Sequence, residues 1–210
     1  NLPVRDELEE GSGEPVIRGR GTVDMKAGVA VQLALALELA DPAVDITWVW
    51  YDHEEVESSL NGLGRAMQND PSLFAADFAI LGEPTSGGIE GGCNGTLRAR
   101  ITVLGQRAHS ARAWMGVNAI HRAGALLERL AAFEAETVHV DGLDYREGLS
   151  AVRIGGGVAG NVIPDRCDIE VNYRFAPSRT AEEAEAFVRD FFSDADGFEL
   201  VDIAPGARPG

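Results

Sequence analysis

Cysteine is almost missing from this chain: Cys93 and Cys167 stand far apart and outside any CxxC spacing. That argues against a disulfide framework and against a cysteine-rich zinc site. Cations are also scarce. Eighteen Lys and Arg face 34 Asp and Glu, a formal charge of −16, which opposes nonspecific attraction to DNA, RNA or an anionic membrane surface. No run approaches the roughly eighteen uninterrupted apolar residues of a membrane span, and the first thirty residues lack the charged-then-apolar order of a signal peptide. These absences predict a soluble, cytoplasmic protein with no nucleic acid or membrane partner. There is no internal repeat and no low-complexity tract. What is present is a globular composition, 210 residues with 45% hydrophobic and 25% charged, enough for one large domain or two small ones. The chain begins at Asn1 and ends in ARPG, and is expected to be a piece of something longer.

Periodicity divides the chain in two. Residues 1 to 21 are rich in Gly, Pro and charge and read as loop, and DMKAGVAVQLALALELA (24 to 40) reads as a largely apolar helix with an acidic start, buried on most sides. ITWVWY (46 to 51) is a short β-branched and aromatic run, followed by a helical NGLGRAMQND and a second strand, DFAILG (77 to 82). Strands alternating with helices predict a parallel sheet covered on both faces. After the glycines of GGIEGGCNG (87 to 95) the texture changes. TLRARITVL alternates as a half-exposed strand, GVNAIHRAGALLERLAAF is an amphipathic helix, and LSAVRIGGG and CDIEVNYRF are two more strands. AEEAEAFVRDFFSD gives a second amphipathic helix and FELVDI a last strand. The order β-α-β-β-α-β is that of a ferredoxin-like unit.

The acids are placed unevenly. In YDHEEVES, Asp52, Glu54, Glu55 and Glu57 follow the first apolar run, Glu83 follows the second, and Asp24 opens the apolar helix. Ligands of open α/β sheets bind outside the carboxyl ends of the strands, so these carboxylates are expected to converge. Like charges so gathered raise one another's pKa unless cations are present. Divalent metal would resolve the repulsion, with one glutamate left free as a base. An isolated Glu-Glu pair is more simply a solvated loop.

The pair is not isolated. GRGTVDMKAG, YDHEEVES, LGEPT, GQRAHSARAWMGVNAI and GNVIPD occur in that order, and over nearly the whole chain this text resembles the M20 family of metal-dependent amidohydrolases and peptidases. The resemblance implies an α/β fold: part of a zinc-exopeptidase-like catalytic domain (1–93), an inserted ferredoxin-like dimerisation and lid domain (94–204), and the start of a return to the catalytic domain (205–210). It implies two zinc ions per site, with cobalt as an alternative, and a homodimer acting on a small acylated amino acid. The activity most strongly implied is removal of succinate from N-succinyl-LL-2,6-diaminopimelate, in lysine and diaminopimelate biosynthesis. Deacetylation of acetylornithine, dipeptide hydrolysis and a noncatalytic dimerisation fragment are the alternatives. By the family pattern Asp24 bridges the metals, Glu55 and Glu83 are ligands, and Glu54 is the general base. His109 hydrogen-bonds the developing oxyanion from the partner subunit, and Asn161 and Arg174 contact substrate. Two of the family's histidine ligands have no counterpart in this chain.

Each position has a plainer reading. Asp24 suits a helix start electrostatically, and Arg174 suits a strand arginine paired with Glu170 or Asp168. His109, in a polar loop bounded by glycine and serine, fits a packed core histidine poorly. His121 and His139 read as surface residues, and His53 is expected to point away from Glu54. Asn94, in CNGTL, departs from the family pattern, which carries an arginine at or near this turn.

Overall fold

A computed structural model describes residues 4–8, 12–56 and 58–209. The chain forms two compact units, Asn1–Glu90 and Gly91–Gly210.

In the first unit, β1 (Arg5–Leu8) and β2 (Pro15–Arg18) make a two-stranded antiparallel ladder. An irregular turn over Thr22–Lys26 leads into α1 (Ala27–Glu38), and α2 (Gly62–Asn69) follows, its first turn capped by Asn61, whose Oδ1 accepts the Gly64 N–H at 3.0 Å. The predicted strands at 46–51 and 77–82, and the parallel sheet they imply, are not formed among the described residues. An extended run becomes a strand only when a neighbour takes its N–H and C=O groups, and these two runs find none. Their side chains stay open to solvent, with Trp50 47% and Ile80 82% exposed. The predicted burial of α1 also fails: no residue of it is buried, and Leu37 is 78% exposed. A helix apolar all round needs cover on every side, more than the described part of this unit provides.

What the first unit does achieve is placement of the ends of these extended runs against helix starts. A Cβ on Gly28, in the first turn of α1, would fall 2.1 Å from the carbonyl oxygen of Gly82. Only glycine permits that approach. Likewise the Gly62 N–H donates to the Asp52 carbonyl at 2.9 Å, and a Cβ there would meet Asp52 Oδ1 at 2.6 Å. Both acidic segments, 52–55 and 83, therefore leave from points anchored to a helix N-terminus.

The second unit is built on alternation. β3 (Gly95–Leu104) and β9 (Arg166–Phe175) pair along their whole length, flanked by β10 (Gly197–Ala204) and β7 (Gly148–Gly156), so the antiparallel sheet runs β10-β3-β9-β7. Two helices, α3 (Ala119–Ala131) and α4 (Ala181–Phe191), connect β3 to β7 and β9 to β10. One face of the sheet, Leu97, Ala99, Ile101 and Val103 with Ile169, Val171, Tyr173 and Phe175, packs under Ala123, Leu126, Ala184 and Val188 of both helices. The opposite face is polar: Arg100 pairs with Glu199 at 2.8 Å and Glu170 at 3.5 Å, and Thr102 donates to Asp168 at 2.7 Å. The hydrogen bond from Arg166, and then that from Thr102, hold the Asp168 carboxyl below its usual range. α4 starts with a reciprocal cap, Thr180 Oγ1 accepting the Glu183 N–H at 3.2 Å and Glu183 Oε2 accepting the Thr180 N–H at 2.9 Å.

Two smaller ladders complete this unit. β4 (Ala108–His109) pairs with β8 (Val162–Ile163), and β5 (Thr137–Val140) pairs with β6 (Leu143–Arg146) across an Asp141-Gly142 turn in which both residues have positive φ. Among the described residues no helix is long and apolar enough to cross a membrane.

Candidate active site

Asp24 lies in the irregular turn that precedes α1, with φ −116° and ψ 102°. That turn is fixed by the Thr22 hydroxyl donating to the Gly19 carbonyl at 2.9 Å, and by the Lys26 N–H donating to the Gly21 carbonyl at 2.8 Å. The Lys26 ammonium donates to the Arg20 carbonyl at 3.2 Å. Glu54 and Glu55 follow the point where Asp52 is tied to α2, and Glu83 follows Gly82, which lies against α1. Three sequence-distant segments thus deliver four exposed carboxylates to one region. Their mutual influence is electrostatic: the Glu54 carboxyl is raised above its usual range by partial burial first, then by the charges of Glu55, Glu83 and Asp24. Tyr51 is raised by burial and then by Glu54 and Glu83. Among the described residues no three His, Cys, Asp or Glu side chains lie close enough together to hold a metal ion. His53, at φ 57°, turns to Asp52, with Nδ1 2.8 Å from Oδ2. Glu57 lies outside the described residues.

The candidate groups of the second unit fall at two places. His109 ends β4 opposite Val162 of β8, and the Ser110 N–H donates to the Asn161 carbonyl at 2.9 Å, so His109 and Asn161 are neighbours. His109 Nδ1 accepts the Ala111 N–H at 3.1 Å. Arg174 pairs with Thr96 near the start of β3, whereas Arg166, at the other end of β9, pairs with Leu104, just before β4. Eight residues of strand separate those ends, about 26 Å at ~3.3 Å per residue. Arg174 is exposed and has no hydrogen-bond or ion-pair partner among the described residues. Its expected strand partners are engaged elsewhere, Glu170 by Arg100 and Arg153, Asp168 by Arg166. His121 is exposed, as the sequence predicts, and the exposed His139 sits 2.9 Å from Asp144. Asn94 donates through Nδ2 to the Arg146 carbonyl at 2.8 Å, leaving a buried Oδ1 without a partner among the described residues.

One polar residue in the second unit carries no sequence signal. Glu147, between β6 and β7, is 5% exposed and accepts from the Tyr173 hydroxyl at 2.6 Å, the Ala176 N–H at 2.9 Å and the Arg179 guanidinium at 3.3 and 3.4 Å. Burial and the bond to Glu147 push the Tyr173 hydroxyl well above its ordinary pKa, so it remains the donor.

Comparison with known proteins matches residues 92–197 to the peptidase dimerisation domain of M20 enzymes. The whole chain is 54% identical over 211 residues to the putative succinyl-diaminopimelate desuccinylase DapE of Mycobacterium tuberculosis. It is 46% identical over 216 residues to the succinyl-diaminopimelate desuccinylase of Corynebacterium glutamicum. In both cases all of this chain is covered but it spans 58% of the relative's length. A crystal structure of a tripeptidase from Staphylococcus aureus superposes with a TM-score of 0.62 over 99% of this chain and 56% of that one, at 22% identity. This last likeness is one of fold.

Proposed function

From the premise that the chain belongs to the M20 peptidase family, we propose that it forms part of a metal-dependent amide hydrolase that removes succinate from N-succinyl-LL-2,6-diaminopimelate. The observation that carries this reading is the gathering of Asp24, Glu54, Glu55 and Glu83 from three segments, close enough that three of these charges act on the fourth. The substrate follows the two desuccinylases to which the chain is similar over its full length.

The donor set fits a divalent cation in kind, since carboxylate oxygens crowded without a cationic partner are ordinary zinc ligands. It is short in number, and the described residues do not draw three of them to ligating distance. On this reading Asp24, Glu55 and Glu83 hold two zinc ions, or zinc and cobalt, with further ligands from the remaining length that the relatives possess. Metal bound there would supply a nucleophilic water and polarise the scissile carbonyl. Glu54 takes the proton from that water. The same carboxyl can then return the proton to the leaving amine. His109 donates a hydrogen bond to the developing oxyanion.

The β-α-β-β-α-β unit serves here as a ferredoxin-like dimerisation and lid domain, residues 94–204, inserted after the catalytic segment 1–93. The strand-length separation of Arg174 from the His109 and Asn161 pair supports a shared arrangement: one small substrate cannot reach both ends of β9. A homodimer in which His109 and Asn161 serve one substrate site, while Arg174 grips a substrate carboxylate at another, accommodates all three. Arginine suits that task because its guanidinium meets a carboxylate through two parallel hydrogen bonds.

The test is a side-by-side assay of the full-length protein on N-succinyl-diaminopimelate, N-acetylornithine and a dipeptide, with zinc or cobalt added. Preference for the succinyl substrate is expected. Preference for either alternative would move the protein to another M20 activity, and no hydrolysis of any would leave a noncatalytic dimerisation module.

A further inference from the structure

The 3₁₀ turn at Ser110–Met115 begins immediately after His109, and its first backbone N–H groups need acceptors that the turn itself cannot supply. Asn161 takes the first: its carbonyl accepts the Ser110 N–H at 2.9 Å. The second goes to a side chain. The Ala111 N–H donates to His109 Nδ1 at 3.1 Å, so the imidazole caps its own turn. A backbone amide can only donate, and a ring nitrogen accepts only through a free lone pair. Nδ1 is therefore unprotonated, and a neutral ring must carry its hydrogen on Nε2.

We infer that the Ala111 backbone amide is a positioning group that fixes His109 as the Nε2–H tautomer and presents Nε2–H as the donating edge toward a substrate carbonyl. Two features support this. His109 is exposed, and no described residue bonds its Nε2. The backbone on both sides is tied down, through the β4–β8 ladder and through the paired Gln106–Val117 bridge that closes the turn. The ring therefore hangs from a fixed frame with one nitrogen already used. A donor held in this way meets the oxyanion with its hydrogen already aimed, because the Ala111 N–H occupies the other ring nitrogen. Such preorganisation is what makes an oxyanion donor effective, since little reorients at the moment of reaction. The assignment of the tautomer stands on the hydrogen bond alone, while its use in catalysis rests on the function proposed above.

Long-range ¹H–¹⁵N correlation spectra of the ¹⁵N-labelled protein test the tautomer directly. The chain has four histidines, and His109→Gln identifies the signals of one. At about two pH units above the ordinary histidine value of ~6.5, His109 should show a bare Nδ1 and a protonated Nε2, with a through-hydrogen-bond coupling from Nδ1 to the Ala111 amide. A protonated Nδ1, or an exchange average without that coupling, would overturn the inference in the wild type alone. Ala111→Gly keeps the amide and should retain the wild-type pattern, whereas Ala111→Pro removes the donor and should abolish the coupling. In the full-length enzyme Ala111→Pro should lower kcat about tenfold, with KM little changed and Ala111→Gly near wild type. If the coupling is present but Ala111→Pro turns over normally, the tautomer stands and the proposed role of His109 in hydrolysis falls.

Discussion

Glu147→Ala should be among the most damaging substitutions in the second unit, although no chemistry is assigned to Glu147. Its side chain is 4% exposed and satisfies three groups at once. Truncation leaves the Tyr173 hydroxyl and the Ala176 N–H buried without their acceptor, each a loss of about 1–3 kcal/mol. Arg179, with its side chain 30% exposed, can turn toward water and recover part of its own loss. The sum of about 2–6 kcal/mol is centred on the ~3–5 kcal/mol for removing one member of a buried charged pair, a large share of the ~5–15 kcal/mol that holds a domain folded. With a urea m-value of about 2 kcal/mol/M, the unfolding midpoint followed by far-UV circular dichroism should fall by about 1.5–2.5 M. Tyr173→Phe removes one bond and leaves the carboxylate its other donors, so it should fall by less than half as much. A midpoint shift below ~0.5 M for Glu147→Ala would refute the view that this network holds the β6–β7 connection to β9 and to the turn that leads into α4.

Three further outcomes follow from single contacts. Asp168, whose folded-state pKa lies below its unfolded value because of Arg166 and Thr102, contributes stability above the unfolded pKa of ~3.9 and loses it as pH falls through the folded value. The stability advantage of wild type over Asp168→Asn should therefore be full near neutrality and vanish in acid urea melts, and an advantage that grew with acid would contradict the assignment. Thr180→Ala removes one half of the reciprocal cap on α4 and should cost about 1 kcal/mol in the same melts; no change would mean that the helix start is held otherwise. Arg174→Ala should lower kcat/KM on the succinylated substrate of the full-length enzyme at least about tenfold, with metal content unchanged, and silence on every substrate would make Arg174 an unpaired surface residue and nothing more.

The second unit was the more legible half, and the reason is physical. In β3 and β9 every second residue is apolar, and in α3 and α4 the apolar residues recur at helical spacing, so each element states its buried face locally. The β5–β6 hairpin was equally open to reading, through Asp141-Gly142 between alternating runs, yet it was not anticipated. Segments 46–51 and 77–82 show the limit: their composition is that of buried strands, but a strand is a property of a pair, and no partner for either lies among the described residues. For the candidate site, Glu54, Glu55, Glu83 and Asp24 are marked by where they stand relative to apolar runs; the charges of Glu55, Glu83 and Asp24 act on Glu54, but no three such side chains among the described residues reach ligating distance. The neighbourhood of His109 and Asn161 depends on a two-residue ladder too short to leave a pattern. Glu147 was invisible because its burial is decided by Tyr173 and Arg179, residues 26 and 32 positions away.

The central claim is that the gathered carboxylates hold metal while Glu54 moves the proton, and Glu54→Gln in the full-length protein tests it most directly. Metal content by elemental analysis and turnover of N-succinyl-diaminopimelate are measured on the same preparation. The account expects metal equal to wild type with most turnover lost, because a base is removed and the ligands Asp24, Glu55 and Glu83 are not. Metal lost along with turnover would make Glu54 a ligand, and turnover retained would contradict the account outright.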